Sequence, residues 1–166
     1  MRSVLIAAVI LSGCAAPQLA TVNIESPFDA TQAKLQTQDG LNSIKGSGFL
    51  RQRGGGVVTC AGSEVVLIPA TYYARERIAH LYGTGGINRH RLNPTFVPDP
   101  PEYRTFTKKT RCDAQGNFMF ERVADGDFFV TTGVHWQVGG TNQGGPIMSR
   151  ARVAGGETIN IVISGD

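Results

Sequence analysis

His80, His90 and His135 are the side chains of this 166-residue chain best suited to hold a metal or move a proton, and their spacing serves neither task. A zinc site needs ligands that converge, as histidine pairs one helical turn apart or as close Cys/His sets. None of the three histidines has such a partner, and no His-x-x-Glu pair occurs. The glycine-rich stretches Gly54-Gly55-Gly56, Gly83-Thr84-Gly85-Gly86 and Gly139 to Gly145 offer the backbone freedom of a phosphate cradle. None runs on into Gly-Lys-Ser/Thr, so all three are read as turns. A Gly-x-Ser-x-Gly nucleophile elbow is also missing. The sequence therefore predicts no catalytic residue, no metal, no cofactor and no enzymatic activity. Trp136, the single tryptophan, is read as packing at the core or its rim rather than as a platform for sugar.

The formal net charge is +3 and falls by one if Arg2 is removed, far from the basic excess of a nucleic-acid binder. Hydrophobic residues make up 41% of the chain, enough for one domain of roughly 150 residues to build a core. No nucleic-acid partner is expected.

The third kind of reactive residue is cysteine. Cys14 closes Leu11-Ser12-Gly13-Cys14, directly after the apolar run Val4 to Ile10 and the charged Arg2. A charged start, an apolar stretch of roughly 7–15 residues and small residues at the cut make a secretory signal. The run is shorter than the about 20 residues that span a bilayer. The Leu-Ser-Gly-Cys ending resembles a bacterial lipobox. The resemblance implies a signal peptide over residues 1–13 and acylation of Cys14 as the new amino terminus. Each buried CH₂ of the acyl chains contributes about 0.8 kcal/mol, so two or three chains anchor the protein to the lipid bilayer without a transmembrane helix. Ala15 stands where an inner-membrane retention signal of this class has Asp, which implies the outer membrane, facing the periplasm.

With Cys14 acylated, Cys60 and Cys112 remain as an even pair in a compartment that permits a disulfide. Two buried thiols are the alternative. From residue 14 to 43 the chain is rich in polar amides with weak periodicity and is expected as the lipidated amino terminus and linker. Within it, Val22-Asn23-Ile24 could form a short edge strand and Ala30 to Leu41 a turn or two of helix. Residues 44–166 carry short β-rich runs punctuated by Gly, Asp and Asn. Strands are predicted at Gly46–Arg53, Glu64–Ala70, Arg104–Arg111, Asn117–Arg122, Asp127–Trp136, Ile147–Val153 and Thr158–Ile163. Phe118 and Phe120 alternate with Met119 and Glu121, so both phenylalanines belong to one face, the core.

Gly62 to Pro69 resembles the "G-x-x-V-x-L-x-P" strand of the carboxypeptidase regulatory-like domain, and Thr110 to Phe120 resembles its "T-x-x-D-x-x-G-x-F-x-F" centre. Gly46 to Leu50, Val123 to Val130 and Val153 to Thr158 are similar to its opening strand and later turns, over roughly residues 44 to 163. Ala124-Asp125 replaces the family's usual prolines. The resemblance implies an all-β, antiparallel Greek-key β-sandwich of about seven strands, transthyretin-like, with a long insertion at 71–103 between the second and third strands. If those two strands run antiparallel around the insertion, Cys60 and Cys112 meet at one edge and staple its base. The Tyr-Arg-Gly-Ser ending of the transthyretin-like hydroxyisourate hydrolases is absent from Val162 to Asp166.

The insertion collects Tyr72, Tyr73, Arg75, Arg77, Tyr82, Arg89 and Arg91, residue types enriched at protein interfaces. Thr71 is placed to cap a helix from Tyr72 to Leu81, with Ile78 and Leu81 towards the sandwich and Arg75 and Arg77 outward. The expected function is a non-enzymatic, lipid-anchored structural or interaction module that meets an envelope protein through these residues. A periplasmic glycan- or small-ligand-binding lipoprotein is the alternative.

Overall fold

Phe118-Met119-Phe120-Glu121 alternates apolar with polar, as a strand buried on one face must, whereas Phe128-Phe129-Val130 is apolar without a break, as a strand buried on both faces must be. These two patterns dictate the layers. The computed structural model describes residues 19–88, 90 and 93–165. Its strands are β1 (Thr21–Asn23), β2 (Asp39–Arg51), β3 (Val57–Thr59), β4 (Glu64–Pro69), β5 (Thr95–Val97), β6 (Lys108–Arg111), β7 (Asn117–Val123), β8 (Gly126–Val138), β9 (Thr141–Val153) and β10 (Thr158–Ile163). Three helices, α1 (Ala30–Thr37), α2 (Tyr72–Tyr82) and α3 (Glu102–Thr105), complete the elements.

One sheet is built on β2, with β10 along one edge and β7 followed by β3 along the other. The second sheet has the order β6-β4-β8-β9 and is antiparallel throughout. The chain changes sheet between β3 and β4, β6 and β7, β7 and β8, and β9 and β10, the Greek-key interleaving of an all-β sandwich. β10 runs parallel to β2, pairing Thr158–Ile163 with Ser43–Gly48, so the first and last long strands lie side by side.

Between the sheets Ile44, Val65, Leu67, Phe118, Phe120, Phe128, Val130 and Ile163 form the main core. The far face of the β4-β8-β9 sheet is covered by the insertion. Phe129 and Met148 pack there against Tyr73, Ala74, Ile78 and Phe96 in a second core. The described part of the insertion thus packs on the sheet, and Thr71 caps α2 as expected by accepting from the Ala74 N–H at 3.2 Å. Its later part pairs with the edge of β9, where the Met148 N–H donates to Gly86 O and the Asn88 N–H donates to Pro146 O. That pairing covers a strand edge that would otherwise be open.

Three expectations are corrected. Residues 14–43 are not a free linker beyond Thr21: β1 pairs with β5, Ile24 and Ala33 are buried, and β2 begins at Asp39 rather than Gly46. The polar start of β2 conceals its periodicity, because an inward position is held by Asn42 instead of an aliphatic residue. Arg104 belongs to α3, not to a strand, since Pro101 leads the chain into a helical turn and β6 starts only at Lys108. Finally, Gly139 and Gly140 are a two-residue hairpin turn, while Gly144 and Gly145 lie inside β9.

Candidate functional site

The seven insertion residues expected to form a contact surface separate into three groups. Tyr72 is 76% exposed and Arg75 is exposed, with its guanidinium 3.1 Å from Asp127. Tyr73 is fully buried and donates its hydroxyl hydrogen to Pro98 O at 2.8 Å, and Tyr82 is buried as well. Arg77 points inward, not outward: its side chain is 11% exposed, pairs with Asp99 at 2.7 Å and lies 4.0 Å from the Phe96 ring centre. Cys14, Arg89 and Arg91 lie outside the described residues.

The physical reason is the helix period. Tyr73, Ala74, Ile78 and Tyr82 fall on one stripe of α2, and that stripe is the one the apolar back of β8 and β9 requires. Burial pushes the phenols of Tyr82 and Tyr103 up to about 12. Burial also raises the Asp99 carboxyl, but the hydrogen bond from Arg104 and the nearby Arg77 outweigh it and hold the group below the usual carboxylate range. This cluster binds the insertion to the sandwich. It is packing, and among the described residues of the expected surface it leaves Tyr72 and Arg75 exposed.

Cys60 and Cys112 are joined, with their Cα atoms 5.9 Å apart. Backbone bonds from Gly62 N to Cys112 O and from Cys112 N to Ser63 O show the antiparallel approach of β4 and β6 that brings them together. The pairing is the one the resemblance implied, but its place is corrected: β4 and β6 run from Glu64 opposite Arg111 to Leu67 opposite Lys108, so the disulfide closes the end of that ladder away from the insertion, which leaves at Pro69 and returns at Lys108.

An open groove of about 850 Å³ lies elsewhere, at the end of the sandwich where β8 and β9 turn. The end of β2 and the turn after it supply Leu50, Arg51, Gln52, Arg53 and Gly54. The hairpin supplies Trp136, Val138, Thr141, Gln143 and Gly144, and the insertion adds Ile87. Trp136 is half-buried, packed on the main core and paired across the hairpin with Gln143. Gly144 makes room for its ring: a Cβ there would lie 2.8 Å from the ring edge and 2.1 Å from Val134 O, and its φ of 86° disfavours a side chain besides. The turn from β2 is held by the Gln52 N–H donating to Gly56 O at 2.8 Å and the Gly55 N–H donating to Gln52 O at 2.9 Å. An aromatic floor with amide, hydroxyl and guanidinium groups around it suits a polar ligand with an apolar face.

A second groove, of about 630 Å³, runs over β2, β7 and β10, but its one aromatic, Phe118, is buried. Among the described residues no group of three or more His, Cys, Asp and Glu side chains converges, and no helix is long and apolar enough to cross a membrane.

Sequence reasoning names Trp136 but not its neighbours. The signal that finds them is Gly139-Gly140 between two β-rich runs, the mark of a two-residue hairpin, which places Gln143 opposite Trp136. Arg51 and Arg53 carry no such signal, since only the tertiary fold brings the end of β2 to that hairpin.

A solved structure of a protein from Pseudomonas aeruginosa, provisionally described as carbohydrate binding, superposes with a TM-score of 0.68 over 84% of this chain and 98% of its own, at 21% identity. At that identity the likeness shows a shared fold. A chlorocatechol 1,2-dioxygenase from Pseudomonas putida aligns over 88% of this chain and 67% of its own at 12% identity, but its TM-score of 0.31 is too low to carry an argument. No protein-family model and no curated protein matches the chain.

Proposed function

We propose that this chain is a non-enzymatic glycan-binding β-sandwich of the cell envelope, held at the periplasmic side of the outer membrane by acylated Cys14. The observation that carries the binding role is the half-buried Trp136 on the floor of an open groove ringed by Gln52, Gln143, Thr141 and two arginines. A pyranose ring has an apolar face to lie on an indole and hydroxyls at its rim for amides to bond. The provisional carbohydrate-binding description of the Pseudomonas aeruginosa neighbour agrees with this reading. The membrane address rests on the Leu11-Ser12-Gly13-Cys14 pattern, and the non-enzymatic role on the lack of any catalytic motif in the sequence. The body is read as a carboxypeptidase regulatory-like domain on the motifs of β4, β6 and β7.

Calorimetric titration of neutral and acidic oligosaccharides onto the purified protein tests the binding role. Saturable binding to at least one, weakened about tenfold or more by Trp136→Ala, is the expected result; a tenfold loss corresponds to about 1.4 kcal/mol. Binding unaffected by that change, with folding intact by circular dichroism, removes the groove from the account.

A further inference from the structure

The charge around Trp136 is one-sided. Arg51 closes β2 and Arg53 stands in the turn that follows; both are exposed, and no Asp or Glu lines the groove. Elsewhere five arginines sit against carboxylates, Arg75 and Arg152 sharing Asp127, Arg77 and Arg104 sharing Asp99 and Arg122 meeting Asp39, while Arg111 donates to Gly62 O and Arg150 lies over the Phe129 ring. Among the described residues neither Arg51 nor Arg53 makes an ion pair. Two like charges two residues apart repel, and a guanidinium presents a planar fork that matches a carboxylate. The turn that carries Arg53 is braced by the Gln52 and Gly55 backbone bonds, so its backbone needs little ordering on binding.

We propose that this groove selects acidic glycans, with a sugar ring on Trp136 and carboxylates of uronic-acid residues on Arg51 and Arg53. The proposal rests on the reading of the groove as a sugar site and adds the ligand's charge. The neutral side chains Gln52, Thr141 and Gln143 serve any sugar, while the two arginines distinguish a uronate from its uncharged counterpart.

The test compares an oligogalacturonate hexamer, its fully methyl-esterified form and a dT hexamer by calorimetry on the purified protein. The free acid is expected to bind about tenfold or more tightly than the ester, and its affinity to fall as ionic strength rises from about 0.05 to about 0.5 M. The Arg51→Gln/Arg53→Gln double variant is expected to bind acid and ester alike, at the wild-type affinity for the ester. Trp136→Ala is expected to weaken both. Equal binding of acid and ester by the wild type overturns the charge selectivity and leaves the sugar site standing. Binding of neither overturns this proposal and, if the wider oligosaccharide series also fails, the sugar site with it. A preference for acid that survives the double variant moves the selectivity away from the groove. Tighter binding of the dT hexamer than of the uronate makes the groove a site for single-stranded nucleic acid instead.

Discussion

Asn42, which sequence patterning does not mark, bonds three parts of the fold together. Fully buried near the start of β2, it donates from Nδ2 to Val123 O at 2.9 Å and to Asp125 Oδ1 at 2.8 Å, and its Oδ1 accepts from Gly156 N and Glu157 N. One amide thus joins β2 to the turn before β8 and the turn before β10. Each buried polar group left unpaired costs about 1–3 kcal/mol, so Asn42→Ala is expected to lose roughly 3 kcal/mol in urea denaturation. A loss under about 1 kcal/mol would mean that water replaces the amide. Gly144 is the corresponding position at the groove. Gly144→Ala is expected to displace the indole, and because Trp136 is the single tryptophan, a shift in intrinsic emission reports it directly. Emission unchanged in a folded variant would show that the ring does not lie over that glycine.

Elements are tied to one another by bonds that local sequence does not display. The Glu76 carboxylate on α2 accepts from the Glu25 and Ser26 backbone N–H groups, both at 2.8 Å, and so fastens the segment after β1 to the insertion. Those bonds, the one from Glu25 first, hold the Glu76 carboxyl below its ordinary value of 4.5. Asp113 is depressed likewise below 3.8 by the Asn117 backbone N–H and the neighbouring turn. A group whose folded pKa is lowered contributes stability that is complete above its unfolded value and is lost as the pH falls through the folded one. Midpoints of urea unfolding are therefore expected to be flat above about pH 5 and to fall below about pH 4. Glu76→Gln is expected to speed amide exchange at Glu25, Ser26 and β1 while leaving β8 protected; uniform exchange throughout would deny that the strap is a separate element. Removal of the disulfide by Cys60→Ala/Cys112→Ala frees the end of the β4–β6 ladder away from the insertion and is expected to cost about 2–4 kcal/mol, read from the shift in denaturant midpoint.

At the scale of the whole molecule the chain is three layers: a sheet built on β2, a sheet built on β4, β8 and β9, and a cover made by the insertion and β1. The two cores meet across one sheet, whose strands send Phe128 to one and Phe129 to the other. Phe120→Ala removes a ring from the inter-sheet core and is expected to cost about 3–5 kcal/mol. A cost below about 1 kcal/mol would place that ring outside it. In cells, Cys14→Ser is expected to abolish acyl labelling and release the protein from the membrane fraction, and unchanged retention would refute the anchor.

Period-two patterning in Asn117 to Glu121, the turn residues Asp113 to Gly116 and the capping Thr71 are local chemistry, and the elements they specify are the ones formed. The β-rich runs follow from such signals, because strand alternation and turn geometry act over a few residues, whereas the pairing of Cys60 with Cys112 rests on the antiparallel topology that the resemblance implied. Local patterns do not say which apolar stripe faces which sheet. Tyr73, Tyr82 and Arg77 have the composition of a binding surface, yet the uncovered back of β8 and β9 draws them into a core. Asn42 has the composition of a linker, yet it is the bonded centre of three turns and strands. The groove exists only where the end of β2 meets the β8–β9 hairpin, a meeting between residues 51 and 143 that long-range packing decides.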